Sequence, residues 1–386
     1  MQKITDIIKR FTFILLRYAQ IIFQFLFGVD SQKAFFSSFS GRQYSDNPRA
    51  ISEKLFDAEP SFKIYWSFEN PKKHKDVIPS YVKSVKKFSL LYFYTLATSK
   101  FWIDNNRKNN YIYKSSKQIY ILTWHGDKGF KKIGYDVGTE YSREKGNIIE
   151  DRICDYILTG SSYAESVYRS AFSYNGKFLK VGSPRNDNLI HNDELKLQLM
   201  REKLQVHSKR ILMYAPTFRN DNMRKYSKQS IQDLDFTQIL DILEMSTNQQ
   251  WICLLRGHYF VQGLQHSYND PRISDYSDYT DMADLLLVTD LLITDYSTCA
   301  GDFILTDKPV ILYQPDRTIY DTEERGLYFD VFSSGFMITE SQEEVNKALL
   351  NLHEIAQRNE GIRRFYGDYE SGRAAELTVK KILSLR

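Results

Sequence analysis

Two histidines in this sequence share a local setting, because each follows a short apolar run that predicts a buried strand. His125 follows Ile119–Thr123 and precedes a glycine, and His258 follows Trp251–Leu255 and an Arg-Gly pair. Side chains at the ends of parallel strands meet at one edge of a sheet. A neutral imidazole placed there can take a proton from a hydroxyl group near pH 7. For each histidine taken alone, a structural role with hydrogen bonds in the core is the alternative.

Basic side chains follow other apolar runs in the same way. Lys131 and Lys132 lie in a glycine-containing loop soon after His125, and both suit phosphate oxygens. Arg185 lies in a Gly-Ser-Pro-Arg-Asn-Asp turn, and Arg219 follows an apolar strand that a proline ends. A guanidinium on such a turn can hold phosphate through two parallel hydrogen bonds. These residues therefore indicate a site for a phosphorylated ligand, with helix capping by the Asn-Asp pair as the alternative for the turn.

A third anion-binding segment follows the apolar run Leu291–Thr294. Asp295, Ser297 and Thr298 stand at a predicted helix start, where hydroxyls and backbone N–H groups can bind an anion. Ordinary capping is again the alternative. The single Asp-x-Asp, Asp233-Leu234-Asp235, opens an amphipathic stretch, so capping explains it better than a metal site. Three separated cysteines have no metal-ligand spacing, and no metal or cofactor is predicted.

The order of elements predicts an α/β protein built from two Rossmann-like halves. Short apolar strands alternate with amphipathic stretches both before and after the charged segment 191–208, which we expect to be a linker. Two such halves facing a cleft form the GT-B architecture. We predict domains at residues 1–28, 29–195 and 196–386. The last helix could pack back on the N-terminal domain.

The first 28 residues predict an amphipathic helix. Its apolar residues share one broad face, and Arg17, Gln20 and Gln24 interrupt the run that a spanning helix needs. No small-residue cleavage site follows Phe27, so a signal peptide is not expected. The segment could pack on the protein's own core or lie in the membrane interface, and its basic polar face favours the interface. We therefore expect a peripheral protein on the cytoplasmic face of the membrane.

Positive charge is concentrated in one part of the chain. The formal net charge is only +4, yet residues 63–117 contain 12 Lys or Arg against three acidic residues. A solvated basic face is one explanation, and contact with anionic lipid or a diphosphate-bearing acceptor is the other. No nucleic-acid-binding motif accompanies the charge, so nucleic acid is not an expected partner.

Six segments together resemble the CDP-glycerol glycerophosphotransferase family, whose members build teichoic acids and related capsule polymers. The most specific is Asp295-Tyr296-Ser297-Thr298, followed by Asp302-Phe303 and Lys308-Pro309. The chain departs from the family pattern after His125 and at Tyr259, where the family usually has proline. The other matching segments are Trp124-His125-Gly126 with Lys131-Lys132-Ile133-Gly134, Gly182–Asp187, Ala215-Pro216-Thr217-Phe218-Arg219, Arg256-Gly257-His258 and Arg325–Asp330.

The resemblance implies that an acceptor hydroxyl attacks the β-phosphate of CDP-glycerol and that CMP leaves. It implies that His125 and His258 are catalytic and that the acceptor is a lipid-diphosphate-linked glycan or polymer. One rival is the transfer of ribitol phosphate or a sugar from another nucleotide donor. A less favoured rival is a non-catalytic membrane scaffold. The expected donor and phosphate ligands are Arg185, Arg219, Asp295, Ser297, Thr298, Lys131 and Lys132.

Overall fold

Two parallel β-sheets, one after the other along the chain, form the framework of the protein. The structure is a computed structural model that describes residues 2–108, 112–138, 153–191, 193–217, 234–257, 269–323 and 326–386. Every strand pair within these residues is parallel. The α/β class predicted from the alternating pattern is thereby confirmed.

The first sheet has seven strands in the order β3-β2-β1-β4-β5-β6-β7. Most residues of its middle strands are buried, as expected for a parallel sheet covered on both faces. The sequence pattern did not predict the central strand β4 or the edge strand β3. The strands are β1 Asp30–Ser37, β2 Lys63–Phe68, β3 Lys83–Lys86, β4 Ser99–Asp104, β5 Ile119–Leu122, β6 Tyr156–Thr159 and β7 Lys177–Lys180.

The second sheet has six strands in the order β10-β9-β8-β11-β12-β13. Four of them match apolar runs visible in the sequence, whereas the short strands β10 and β13 do not. The apolar side chains on its two faces belong to two separate core clusters. The strands are β8 Arg210–Ala215, β9 Trp251–Leu255, β10 Ile273–Asp275, β11 Leu291–Thr294, β12 Val310–Tyr313 and β13 Met337–Thr339.

Helices cover both sheets. The segment 191–208, expected to be a linker, contains a helix whose first turn is capped by the Asp193 carboxylate. Asp235 caps another helix, as the sequence predicted. The α-helices are α1 Gln2–Phe27, α2 Asp46–Ala58, α3 Leu90–Thr98, α4 Ser162–Ala171, α5 Asp187–His191, α6 Glu194–Lys203, α7 Phe236–Thr247, α8 Met282–Val288, α9 Cys299–Phe303, α10 Arg317–Glu323, α11 Gln342–Leu349, α12 Leu352–Gln357, α13 Asn359–Tyr366 and α14 Ala374–Ser384.

Helix α1 packs on the protein with both polar and apolar groups, and Leu16 and Phe23 lie against an apolar cluster of the first half. Gln20 is fully buried, and the Gln24 side-chain amide donates hydrogen bonds to the Ala97 carbonyl and to Oε1 of Gln118. Other large apolar side chains of α1 point to solvent, and Phe25 is 87% exposed. In the parts of the chain that the structure describes, no helix is long and apolar enough to cross a membrane. The other exposed apolar residues of α1 are Ile14, Leu15, Tyr18, Ile21, Ile22, Leu26 and Phe27.

The last helix, α14, belongs to the core of the first half. Val379 and Ile382 pack in the same apolar cluster as Ile51 and Leu55 of α2. The Asp187 carboxylate accepts hydrogen bonds from the first two N–H groups of α14, each at 2.8 Å. Asp187 thus caps this distant helix rather than the helix that it begins. The chain therefore crosses between the halves twice.

Candidate active site

A cavity of about 210 Å³ lies between the two halves, beyond the carboxyl ends of their strands. His125 lines it from the first half, and Ser297 and Thr298 line it from the second. The two segments are far apart in sequence, so only the tertiary fold brings them together. The remaining lining residues are Trp124, Gly126, Asp127, Gly129, Phe130, Lys131, Ile133, Tyr163, Val167, Thr217, Tyr296 and Tyr328.

The hydrogen bonding of His125 determines which ring nitrogen can act as a base. Nδ1 lies 2.8 Å from the backbone carbonyl of Asn105. A carbonyl only accepts hydrogen bonds, so Nδ1 carries the proton and Nε2 keeps its lone pair. Burial lowers the pKa of His125 below its usual value, although the Asn105 bond and the Asp46 carboxylate act in the opposite direction. The imidazole is therefore neutral near pH 7 and suited to proton acceptance at Nε2.

Glycines allow the His125 loop to approach α9 closely. A Cβ added at Gly126 would lie 2.9 Å from Cγ2 of Thr298, and one added at Gly129 would lie 3.3 Å from the same atom. On the α9 side, a Cβ at Gly301 would lie 2.4 Å from Cβ of Lys128. Side chains at these positions would force the two halves apart. The spacing of the cavity walls thus depends on the absence of these side chains.

Asp295 and Ser297 interact with the protein's own backbone. The buried Asp295 carboxylate accepts two hydrogen bonds from Thr217, one from the backbone N–H at 2.9 Å and one from the side-chain hydroxyl at 3.0 Å. This pairing holds the turn after β8 against the end of β11. Ser297 Oγ accepts the N–H of Cys299 at 3.4 Å, and its hydroxyl lies at the cavity wall. A direct contact between the donor and Asp295 stays a prediction.

The loop with Lys131 and Lys132 is joined to the segment that follows α10. Lys131 forms an isolated antiparallel bridge with Leu327, and the Lys132 N–H donates to the Gly326 carbonyl at 3.0 Å. The Lys131 ammonium lies 4.9 Å from the ring centroid of Tyr320, and Lys131 is one of the residues that line the cavity. Lys132 extends along Gly326 and is not among the lining residues. The two lysines therefore differ in their access to the cavity.

Arg185 lies at the joint between the halves rather than in the cavity. Its guanidinium bonds to both oxygens of Asp302, at 3.0 Å and 3.3 Å, and to Asp46 at 3.1 Å. Burial alone would lower the pKa of Arg185, but these two carboxylates raise it above its usual value. The group is therefore charged and bound by carboxylates in this structure. Contact between Arg185 and a donor phosphate stays a prediction.

A buried charge cluster that the sequence pattern did not reveal adjoins this joint. The Lys128 ammonium is fully buried and lies 3.3 Å from both Asp368 and Glu370. Glu370 also accepts a hydrogen bond from the Ser183 N–H at 2.8 Å. This bond attaches the segment between α13 and α14 to the first half. Burial raises the pKa of Glu370 to about 7, despite the opposing effect of Lys128. Lys128 and Glu370 are 242 residues apart, so no local sequence pattern could have predicted that they pair.

Two of the predicted residues, Arg219 and His258, lie outside the described residues. The strand that leads to His258 is present, and Arg256 at its end donates to the Gly257 carbonyl at 3.0 Å. Within the described residues, no group of three or more His, Cys, Asp or Glu side chains could hold a metal ion.

A cavity at the carboxyl ends of two parallel sheets, lined by imidazole, hydroxyl and ammonium groups, defines an α/β enzyme that can hold a phosphorylated substrate. Residues 18–384 match the family described as CDP-glycerol:poly(glycerophosphate) glycerophosphotransferase. The chain belongs to this family, and it is an enzyme of the glycerophosphotransferase type.

Similar proteins extend over nearly the whole chain. The teichoic acid poly(glycerol phosphate) polymerase of Bacillus spizizenii is 31% identical over 401 residues, which cover 98% of this chain and 99% of that protein. The teichoic acid glycerol-phosphate transferase of Staphylococcus aureus is 33% identical over 366 residues, which cover 90% and 92%. A solved structure of the wall teichoic acid polymerase TagF has a TM-score of 0.82 at 27% identity and covers 99% of this chain and 97% of that chain.

Proposed function

We propose that the protein transfers glycerol phosphate from CDP-glycerol to a hydroxyl group of a membrane-linked glycan or polyol-phosphate acceptor, with release of CMP, in teichoic-acid or capsule-polymer biosynthesis. Membership of the glycerophosphotransferase family supports the donor and the reaction. The observation that carries the proposal is the shared cavity, in which His125 of one half meets Ser297 and Thr298 of the other.

In the proposed reaction, Nε2 of His125 takes the proton of the acceptor hydroxyl. The acceptor oxygen then forms a bond to the β-phosphorus of CDP-glycerol. The bond from this phosphorus to the bridging oxygen breaks, and CMP leaves with the electron pair. Such a transfer depends mainly on positioning and on stabilising negative charge.

The donor phosphates are proposed to bind at the α9 side of the cavity. Ser297 and Thr298 offer hydroxyl groups there, and Lys131 brings an ammonium group to the same cavity. Arg219 and His258 complete the proposed set of donor ligands, with His258 offsetting charge as CMP departs. This assignment places the donor on the second half and the acceptor beside His125.

The two sheets are proposed to form the two halves of a GT-B enzyme, with residues 29–195 as the acceptor domain and 196–386 as the donor domain. The strand orders support this division, since each sheet is complete within its own range. Helix α14 is the exception, because Val379 and Ile382 pack against the first half.

A peripheral position on the cytoplasmic face of the membrane is proposed from the surface of α1. A helix that packs on a protein core normally turns its apolar face inward. Here Gln20 and Gln24 face inward beside Leu16 and Phe23, whereas a second set of apolar side chains that includes Ile22 and Phe25 faces outward. Phe88, two residues before α3, adds a further exposed apolar group. Anionic lipid would also complement the basic side chains of the segment 72–87, namely Lys72, Lys73, Lys75, Lys83, Lys86 and Lys87.

Product analysis tests this function directly. The enzyme is incubated with CDP-glycerol and a synthetic lipid-diphosphate-linked acceptor, and mass spectrometry should detect an acceptor extended by glycerol phosphate together with CMP. His125→Ala should lower kcat by roughly 10²–10⁴, the usual contribution of one acid–base group. His353→Ala changes an exposed histidine on α12 and should leave kcat unchanged.

Three results would contradict the proposal in different ways. Use of CDP-ribitol or a nucleotide sugar in place of CDP-glycerol would overturn the donor assignment. Wild-type turnover by a folded His125→Ala protein would overturn the role of the imidazole. No CMP release with any donor or acceptor would favour a non-catalytic scaffold.

A further inference from the structure

The backbone around His125 adopts an unusual conformation at several residues. Phe39, Ser40, Asp46 and Trp124 have positive φ angles of 45°, 60°, 66° and 50°. Non-glycine residues hold such angles only where surrounding contacts impose them, and these residues cluster at functional sites. The ring of Phe39 lies 5.5 Å from the ring of His125. The turn Phe39–Ser40 therefore forms one wall of the imidazole site.

Asn105 bonds to both the imidazole and this turn. It directly follows β4 and is fully buried. Its backbone carbonyl accepts the Nδ1–H of His125 at 2.8 Å, and its side-chain Oδ1 accepts the Phe39 N–H at 2.7 Å. Its Nδ2 donates to the Ser38 hydroxyl at 3.1 Å. Asn105 thus supplies the hydrogen-bond acceptor for His125 and also binds the inner side of the turn Phe39–Ser40.

The outer side of the turn has its own supports. The Lys87 ammonium donates to the Ser40 carbonyl at 2.7 Å, and the Asn106 amide donates to the Ser40 hydroxyl at 2.9 Å. The turn is therefore fixed from two sides, and the side next to the imidazole is the one that Asn105 fixes.

We propose that Asn105 is a positioning residue for the transfer reaction, because its side-chain bonds to the turn fix its carbonyl where it selects the Nδ1–H form of His125. This inference rests on the proposed role of His125 as the general base. A base must present its lone pair on the nitrogen that reaches the acceptor, so the wrong tautomer is inactive. If the Asn105 carbonyl were displaced, neither the Nδ1–H tautomer of His125 nor the orientation of its ring would be fixed.

Charged groups from three other elements face the imidazole, namely Asp46 of α2, Asp104 at the end of β4 and Arg185 after β7. Substitutions at Asn105 leave these groups in place. The bond from Nδ1–H to Asn105 favours the charged imidazole, so its loss should lower the pKa of His125. A carboxylate at position 105 should raise that pKa instead. The two changes therefore predict opposite shifts.

The experiment measures CMP release from CDP-glycerol with the lipid-linked acceptor over about pH 5 to 9, and the acidic limb of kcat/KM reports the free enzyme's base. Asn105→Ala should lower kcat by roughly 10–100-fold, by analogy with the loss of groups that orient metal-binding histidines. Its acidic limb should move to lower pH, whereas the limb of Asn105→Asp should move to higher pH. Asn359→Ala, which changes another buried asparagine, should leave the limb in place.

A second substitution separates positioning from loss of folding. Ser40→Gly relieves the left-handed backbone at the turn, because glycine adopts positive φ without a side-chain clash. In the presence of Ser40→Gly, Asn105→Ala should therefore lower kcat by a smaller factor than it does in the wild-type protein. The Ser40→Gly single variant is the reference for this comparison. If Asn105→Asp does not fold, the alanine limb shift and this recovery decide the question.

The inference is overturned if the Asn105 variants keep wild-type kcat, if their limbs do not move, or if the limbs move in the same direction. Absence of recovery by Ser40→Gly also overturns it. His125→Ala is measured in parallel. If that variant is impaired while the Asn105 variants are not, only this inference fails, whereas full turnover by His125→Ala refutes the base assignment itself.

Discussion

Gly126→Ala tests whether the distance between the two halves controls turnover. The added Cβ would lie 2.9 Å from Cγ2 of Thr298. Carbon atoms in contact are separated by about 3.5–4.0 Å. The His125 loop and α9 would therefore have to move apart by roughly 0.6–1.1 Å. This shift falls between the proposed base and the proposed donor site.

Two magnitudes follow for Gly126→Ala. An added methyl group in a packed interior typically lowers the free energy of unfolding by about 1–3 kcal/mol. A displacement of about 1 Å between reacting groups lowers the rate on the order of 10²-fold. We therefore expect a folded protein whose kcat for CMP release falls roughly 10–100-fold, with the larger effect on rate than on stability.

The assay compares kcat and urea unfolding for a set of matched variants. Thr298→Ser removes the clashing methyl group and keeps the hydroxyl, so Gly126→Ala combined with Thr298→Ser should recover most of the lost kcat. Gly361→Ala is the control, since a Cβ there meets no atom within 4 Å. Wild-type kcat in Gly126→Ala, or no recovery in the double variant, would refute the reasoning.

Three further predictions concern donor binding, pH and the membrane. Ser297→Ala should weaken CDP-glycerol binding roughly 10-fold in calorimetry, as expected for the loss of one hydrogen bond to a charged group. Ser384→Ala changes an exposed serine and should leave the affinity unchanged. Equal affinities of the two variants would mean that the donor binds elsewhere. Because burial raises the pKa of Glu370 from 4.5 to about 7, the folded protein holds this proton more tightly, and the free energy of unfolding should fall as pH rises through this range. Glu370→Gln should flatten that dependence in urea titrations at about pH 5 and about pH 8, and an unchanged slope would contradict the assignment. Phe25→Glu should reduce binding to anionic vesicles in sedimentation, whereas Leu199→Glu on α6 should not; equal binding by both would argue against insertion of α1.

The sequence predicted the elements that local patterns define. Parallel strands buried on both faces appear as continuous apolar runs, which is why β5, β9 and β11 could be located. Strand β4 was missed because α3 ends at Thr98 and β4 begins at Ser99 without an intervening turn residue. The segment 191–208 was taken as a linker because its composition is polar, but Asp193 caps a helix within it.

The site was predictable only where a residue type and a strand end coincide. His125, Lys131, Ser297 and Thr298 do line one cavity. Arg185 was expected to face the cleft, but carboxylates from distant segments bind its guanidinium. Such ion pairs leave no pattern in the local sequence. The role proposed for Asn105 was hidden for a similar reason, since its hydrogen-bond partners lie in two distant stretches of the chain, at residues 38–39 and at His125.

The position of α14 has a consequence for how the protein is made. The first half needs Val379 and Ile382 to complete the apolar cluster around Ile51 and Leu55. About 180 residues separate the end of that half from α14, and a ribosome that adds about 5–20 residues per second needs roughly 9–36 s to make them. During that interval the apolar surface of α2 that receives α14 stays uncovered. The half that is synthesised first is therefore the half whose folding is completed last.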